Sequence, residues 1–257
     1  MSMIESEYKS YRHDGIVIKS SVRTSDDEYM IVAHDFLQKL FREFARLCMQ
    51  CYRPDLNAAY MPYYFSERRL DTAILPALSK ICDGVVLTEL PVIREESGEV
   101  VGSGHGRLDY WCIYRGYTIV IEMKGTRAQV DGCVREHSVK QRWGTMIKQL
   151  ENVNAECHYN EETTKGVIRL GMHFISAYSP EPMDDSDVRA YRRGIKSTLN
   201  TFCQEITKKH HKAAYTPSYA AAWLIPDEMV CADGERTYPG VMLLAKVFKD
   251  IKHKNHV

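Results

Sequence analysis

Residues 106–125, "GRLDYWCIYRGYTIVIEMKG", decide the fold of this chain. They form two short apolar segments with strand-like alternation, joined at Arg115-Gly116, and this pattern predicts a β-hairpin with a two-residue turn. Each arm carries an acid, Asp109 in the first and Glu122 in the second, and Lys124 lies two residues further on. Charged side chains inside buried strands need partners, so the hairpin indicates a site as well as a fold.

A two-residue turn places Asp109 opposite Glu122, and Arg107 opposite Lys124. Facing residues of an antiparallel pair have Cβ atoms about 5 Å apart, and like charges at that distance destabilise the pair. Strand alternation also puts Glu122 and Lys124 on one face. A divalent cation between the carboxylates would offset their repulsion, and Mg²⁺ is typically held by one or two carboxylates plus water. The backbone carbonyl of Met123 would supply another oxygen ligand.

This prediction depends on the length of the turn. Arg-Gly is less favourable than Asn-Gly in a type I′ turn, so a three-residue loop is an alternative. A longer loop would shift the register by one residue and bring Met123 opposite Asp109. The two carboxylates would then lie on different faces of the sheet.

Hydrophobic periodicity predicts the remaining elements. In chain order they are a helix over 34–51, a helix beginning at Ser66 with Pro76 inside it, a strand within 84–100, the hairpin, a helix within 134–154, a strand at 166–179, a helix at 185–212 and strands at 218–226 and 240–248. This order predicts an α/β or α+β fold with a sheet covered by helices. We favour an α/β fold in which helices flank a mixed central sheet. Residues 1–61 are expected to form an N-terminal extension with one long helix, and residues 62–257 to form the main domain within one compact unit.

The residues of this hairpin resemble the motif of a known protein family. Asp109, twelve intervening residues and then Glu122-Met123-Lys124 after an apolar strand resemble the motif of the restriction-endonuclease-like, or PD-(D/E)xK, nuclease superfamily. The surrounding order of helix, three strands, helix and strand is similar to the core of that fold, over roughly residues 62–180. Leu108 stands where the family name has proline, and no tyrosine follows Gln149 by four residues.

The resemblance implies Mg²⁺-dependent hydrolysis of phosphodiester bonds, with Mn²⁺ as a substitute. It implies that Asp109 and Glu122 bind the metal together with the Met123 carbonyl. It also implies that Lys124 orients or activates the attacking water. We favour a charge-stabilising role for Lys124 over general-base catalysis, because neighbouring carboxylates hold its proton.

Two further residues are assigned through the same resemblance. Glu67, on the helix before the sheet, occupies the place of an additional metal-binding acid found in many members. Gln149, on the helix after the motif, matches a glutamine present in some branches, and Gln141 competes for that role. Each has a purely structural alternative: a first-turn acid that favours the helix dipole for Glu67, and a solvated helix position for Gln149.

Nucleic acid is the expected partner, DNA in preference to RNA and internal cleavage in preference to exonuclease action. The formal net charge of the 257 residues is zero, so a local patch rather than an overall basic excess must hold the phosphates. The basic residues that follow the motif are Arg135, Lys140, Arg142 and Lys148. A second basic group lies in the helix predicted at 185–212, and its alternative interpretation is a solvated helix face. Its members are Arg189, Arg192, Arg193, Lys196, Lys208, Lys209 and Lys212.

The sequence lacks a secretory pattern and an apolar run of the roughly 20 residues that span a bilayer, so a cytoplasmic protein without membrane contact is expected. Homodimerisation is left open. Two competing hypotheses are a non-catalytic nucleic-acid-binding or assembly subunit with the same fold, and a different metal-dependent enzyme on an unrelated α/β fold.

Overall fold

The computed structural model describes residues 8–13, 16–22, 27–53, 60–64, 67–93, 105–130, 137–151, 153, 164–179, 185–210, 215–233 and 236–248. Ser66, the predicted start of the second helix, and the basic residue Arg135 lie outside this described part. The side chains of the basic residues in the second group also lie outside it.

Nine strands and four α-helices make up the described chain. In order they are β1 (Tyr8–His13), β2 (Ile16–Val22), α1 (Glu28–Cys51), α2 (Glu67–Ile81), β3 (Leu87–Ile93), β4 (His105–Tyr114), β5 (Tyr117–Gln129), α3 (His137–Glu151), β6 (Val167–Ser179), α4 (Asp185–His210), β7 (Tyr219–Leu224), β8 (Cys231–Ala232) and β9 (Thr237–Phe248).

All strands belong to one mixed sheet with the order β1-β2-β7-β9-β6-β5-β4-β3, and β8 pairs with β9 beside this path. The β5–β6 pair is parallel and is connected through α3, whereas the other pairs are antiparallel. The predicted α/β class and the mixed sheet flanked by helices are therefore confirmed.

Helices cover both faces of the sheet, which explains why β6 and β9 are apolar on both sides. On one face, aromatic residues of α1 such as Phe41 and Phe44 pack against Phe174 of β6. On the other face, Trp143 of α3 and Phe202 of α4 belong to a second buried cluster. The helices thus lie in two layers with the sheet between them.

The N-terminal segment contributes more than the predicted helix. Residues 8–22 include two strands, and β2 pairs with β7, so the sheet incorporates part of the range expected to form the N-terminal extension. The long helix begins at Glu28 rather than residue 34. β1 is largely polar and β2 has only the three-residue apolar run Ile16–Ile18, so neither gives a strong local strand signal. Among the described residues, no helix is both long and apolar enough to cross a membrane.

The predicted two-residue turn of the hairpin is confirmed. Tyr114 pairs with Tyr117, and Arg115 and Gly116 have φ values of +50° and +77°, as a type I′ turn requires. Arginine is unusual at such a φ, and here neighbouring groups hold it. Asp83 accepts a hydrogen bond from the Arg115 backbone N–H at 2.6 Å, and the guanidinium lies 3.2 Å from Asp35 Oδ2.

Replacing Gly116 with Ala is expected to lower the free energy of unfolding by about 1–2 kcal/mol, the typical cost of a left-handed conformation for a residue with a Cβ. The nearest atoms to the added carbon would be those of the Lys165 side chain, at 3.6 Å, which is an ordinary contact distance, so the cost is conformational rather than steric. Urea unfolding measures the loss. Gly116→Asn is the control, because Asn tolerates this conformation better, and equal losses in the two variants would contradict the explanation.

Candidate functional site

The candidate functional residues meet where β4 separates from β5. The β4–β5 ladder runs from Tyr114–Tyr117 to Tyr110–Ile121 and ends there, one pair before the predicted facing pair Asp109–Glu122. The expected cross-strand pair therefore does not form, and neither does the pairing of Arg107 with Lys124. The physical reason is that two buried carboxylates directly opposite each other would repel.

Strand alternation is broken at Asp109. Leu108 belongs to a buried cluster with Val120, whereas Tyr110 belongs to the cluster on the opposite face, although a regular strand would place both on one side. On the neighbouring strand Glu89 has a φ of +54°, and the β3–β4 ladder omits the Glu89–Asp109 pair. The break frees the Asp109 side chain from either face of the sheet.

The edge of β5 that faces β4 has backbone groups that need new partners. The N–H groups of Thr118 and Val130 donate to residues at the two ends of β6, so even-numbered residues of β5 direct their backbone groups to β6. The odd-numbered residues Met123 and Gly125 direct theirs towards the gap left by β4. Buried backbone groups are almost always paired, so side chains must replace the lost strand.

Three candidate residues supply those side chains. Asp109 Oδ2 accepts from the Met123 N–H at 2.5 Å, and Glu67 Oε2 accepts from the Gly125 N–H at 3.3 Å. Lys124 Nζ donates to the Met123 carbonyl oxygen at 2.9 Å. We name this gap the β4–β5 notch, lined by Asp109, Glu122–Gly125 and Glu67.

Close helix packing brings Glu67 into the β4–β5 notch. It is the first residue of α2, and a Cβ on Gly125 would lie 3.4 Å from the Glu67 backbone and 3.0 Å from Leu70. Glycine at position 125 therefore lets the beginning of the helix approach the strand. Glu67 Oε1 lies 3.3 Å from Lys124 Nζ, so the structure brings the predicted additional acid into contact with the predicted lysine.

Lys124 is the charge at the centre of the β4–β5 notch. Its ammonium donates to Glu122 Oε1 at 2.9 Å, besides its bonds to Glu67 and the Met123 carbonyl. Glu122 is 3% exposed, so its carboxylate depends on such partners. Burial lowers the pKa of Lys124. Attraction to Glu122, and then to Glu67 and Asp109, raises that pKa by more, so the net pKa is above its usual value.

The pKa of the Asp109 carboxyl is raised well above its usual value. Burial, and then the charge of Glu122, raise its pKa, while the Met123 N–H and Lys124 oppose the rise; the net value is about 7. A carboxyl poised near neutrality is typical of functional sites and also of crowded structural acids. A cation bound beside it would lower this pKa again.

The oxygens assigned to a metal surround the lysine rather than an open position. Glu122, Glu67 and the Met123 carbonyl all contact Lys124 Nζ, and the described residues contain no group of three or more His, Cys, Asp or Glu side chains that could hold a metal ion. The donors are nonetheless all hard oxygens converging on a cation, which is the chemistry that suits Mg²⁺.

Gln149 lies on α3, and its Oε1 atom is buried without a hydrogen-bond partner among the described residues. A buried amide oxygen that lacks a donor is uncommon. Gln141, its competitor for the glutamine role, is exposed on α3.

The basic residues of α3 divide into two kinds. Arg142 is 51% exposed and its Nη1 lies 3.4 Å from Glu67 Oε2, at the border of the β4–β5 notch. Lys140 forms an ion pair with Glu205 of α4 at 2.8 Å, and this pairing weakens its attraction for a phosphate group. Lys148 is exposed.

Two residues beside Lys124 were missed by sequence reasoning. His173 of β6 pairs with Lys124 in the parallel register, and its Nε2 atom lies 2.9 Å from Thr126 Oγ1. His173 is fully buried, and burial, then the charges of Arg142 and Lys124, lower its pKa to about 3. A histidine inside the apolar strand 167–179 was the available signal, but only the register with β5 shows what it faces.

In metal-free buffer, Asp109→Asn is expected to become increasingly more stable than wild type as pH rises. The pKa of Asp109 is about 7 when folded and about 3.9 in an unfolded chain. Between these values the folded protein holds a proton that the unfolded chain releases, so wild-type stability falls as pH rises from about 4 to about 7. The variant loses this dependence and should gain on the order of 2–4 kcal/mol relative to wild type over that range.

Urea unfolding at pH 4, 6 and 8 with EDTA measures the difference. Asp227→Asn is the matched control, because Asp227 is an exposed carboxylate on a surface turn outside the β4–β5 notch. A difference between Asp109→Asn and wild type that stays constant with pH would contradict the raised pKa.

Comparisons with protein-family models, with curated proteins and with solved structures find no significant match. The function of this chain must therefore be inferred from the chemistry of its own site, the three acids and one lysine that converge at the β4–β5 notch.

Proposed function

We propose that this protein is a Mg²⁺-dependent nuclease that hydrolyses phosphodiester bonds, acting on DNA in preference to RNA and within the strand rather than at its ends. The observation that carries the proposal is the convergence of Asp109, Glu122 and Lys124 at one gap in the sheet. Glu122 and Lys124 are in direct contact, and the charge of Glu122 acts on Asp109. Burying several charged acids around one lysine destabilises the folded state unless a ligand or the charged groups themselves compensate the loss of solvation.

The arrangement of elements supports a restriction-endonuclease-like fold. The order α2, β3, β4, β5, α3, β6 matches the helix, three strands, helix and strand on which the resemblance was based. The acids lie at the point where β4 leaves β5, and α3 crosses to the parallel strand β6 on one face. The fold assignment is part of the proposal and is argued by analogy.

Asp109, Glu122 and the Met123 carbonyl are the groups that would hold Mg²⁺, with Glu67 as an additional acid. Bound Mg²⁺ supplies Lewis-acid stabilisation of the phosphate oxygens and a bound water of lowered pKa. Glu122 contributes a buried carboxylate whose position is fixed by Lys124. Asp109 is fixed by the Met123 N–H, so both carboxylates are held in place before any ligand arrives.

Lys124 serves as the internal counter-ion of the β4–β5 notch and as a donor to phosphate. Its raised pKa means that it carries a proton at neutral pH, so it acts as a charge and hydrogen-bond donor rather than as a base. A cation held by the carboxylates would weaken their attraction for the ammonium. Lys124 would then be available to the phosphate oxygens, where developing charge needs stabilisation.

One observation favours a second candidate function, a nucleic-acid-binding or assembly subunit without catalysis. The ammonium of Lys124 already satisfies Glu122, Glu67 and the Met123 carbonyl, which is what a purely structural ion cluster would do. In that case the charged groups replace the missing backbone partners and bind no metal. Homodimerisation is compatible with either function.

The proposed function predicts cleavage of plasmid and single-stranded DNA in Mg²⁺ or Mn²⁺, and none in EDTA. Glu122→Gln and Lys124→Ala are expected to lower the cleavage rate at least 100-fold, because each removes a group that acts on the developing charge. Gel assays of initial rates measure the effect. Asp109→Asn should show a similar loss while keeping the acceptor for the Met123 N–H.

Exposed residues outside the β4–β5 notch provide matched controls. Glu228→Gln and Lys80→Ala repeat the same chemical changes on the surface and should cleave at the wild-type rate. Equal activity in wild type, Glu122→Gln and Lys124→Ala would remove the assigned site. Salt-sensitive DNA binding without cleavage in the wild type would favour the non-catalytic function.

Arg142 is expected to contribute one phosphate contact. Arg142→Ala should weaken DNA binding and reduce the slope of log affinity against log salt concentration by about 1. Lys140→Ala should have a smaller effect, because Glu205 neutralises that lysine at 2.8 Å. Fluorescence anisotropy with a labelled duplex at several salt concentrations measures both. An unchanged slope in Arg142→Ala would exclude the contact, and Lys80→Ala is the control.

A further inference from the structure

The face of β5 that carries Lys124 continues to a polar pair that the nuclease assignment does not use. Glu122, Lys124 and Thr126 follow one another on this face by strand alternation. Thr126 is partly exposed, whereas its partner His173 is fully buried on β6. Their side chains are 2.9 Å apart, between Oγ1 and Nε2.

The direction of this hydrogen bond follows from the other ring nitrogen. Nδ1 of His173 is buried and has no hydrogen-bond partner among the described residues. An orphaned N–H is rarer in proteins than an under-used acceptor, so the proton is assigned to Nε2 and not to Nδ1. The ring is neutral, because burial and the nearby charges of Arg142 and Lys124 disfavour a second proton. Nε2–H therefore donates to Thr126 Oγ1.

This direction leaves the Thr126 hydroxyl hydrogen available. The oxygen accepts from His173, so the hydroxyl must donate to something other than the ring. Two cations belong to the same region: Lys124 pairs with His173 in the sheet register, and Arg142 lies 3.4 Å from Glu67 Oε2 at the border of the β4–β5 notch. A hydroxyl donor in a region that also holds an ammonium and a guanidinium has the chemistry of a phosphate-binding subsite.

We propose that the Thr126 hydroxyl, together with Arg142, binds a phosphate of the nucleic-acid substrate next to the β4–β5 notch, and that His173 is a positioning residue which fixes the direction of that hydroxyl. This inference rests on the proposed function for the identity of the substrate. It adds a substrate contact, Thr126, and a residue that acts through it, His173. Neither is a ligand of the metal.

Thr126→Val tests the contact, because it keeps the β-branched shape and removes only the hydroxyl. We expect KM for a labelled DNA duplex, and its Kd measured in a Glu122→Gln background, to rise about 10-fold, as loss of a hydrogen bond to a charged group typically causes. The kcat value should stay within about twofold if the phosphate contact is made equally in the ground and transition states. Thr126→Ser keeps the hydroxyl and should restore most of the affinity.

His173 is tested through its dependence on Thr126. His173→Leu should raise Kd as Thr126→Val does, whereas His173→Gln, whose side-chain amide can donate in place of Nε2–H, should remain close to wild type. The double variant Thr126→Val/His173→Leu should bind no more weakly than Thr126→Val alone, because both changes remove the same contact. Circular dichroism melting curves establish that each variant is folded at the assay temperature.

The outcomes separate this inference from the proposed function. Unchanged KM and Kd in Thr126→Val would overturn the phosphate subsite, while Mg²⁺-dependent cleavage that is lost in Glu122→Gln would still stand. Additive losses in the double variant would show that His173 has only a structural role. If wild type does not cleave DNA, the nuclease proposal fails, and the Kd of Thr126→Val against Thr126→Ser still decides whether the subsite binds phosphate.

Discussion

The separation of β4 from β5 after the Tyr110–Ile121 pair is the constraint on which the site depends. A strand that loses its neighbour leaves N–H and C=O groups without partners, and inside a protein these must be satisfied. Asp109, Glu67 and Lys124 perform this task for Met123 and Gly125. The same side chains that complete the backbone hydrogen bonding therefore form the candidate catalytic group, and their positions are fixed by the sheet itself.

Electrostatics at the β4–β5 notch are balanced by one internal cation. Glu122 is almost fully buried and Asp109 is partly buried, and two such carboxylates would repel each other if both were charged without compensation. Lys124 compensates the charge of Glu122, whereas burial and then the charge of Glu122 raise the pKa of Asp109 to about 7. A cation bound beside Asp109 would lower that pKa again.

Much of the fold could be predicted from local patterns. The hairpin register followed from alternation and the Arg115-Gly116 turn, and the bounds of α3 and β6 lie within a few residues of those expected. The strands of residues 8–22 could not be predicted in this way. Their place in the sheet depends on β7, about 200 residues later in the chain, and that long-range pairing has no local signal.

By itself, the sequence determined that two acids and a lysine would meet near the end of one hairpin, because turn length and the two-residue strand period set which residues are neighbours. Only the tertiary structure decided how they meet. The break in alternation at Asp109, the approach of Glu67 over Gly125 and the register of His173 with Lys124 arise from contacts between separate elements. Such contacts depend on packing in three dimensions, and residue spacing along the chain does not encode them directly.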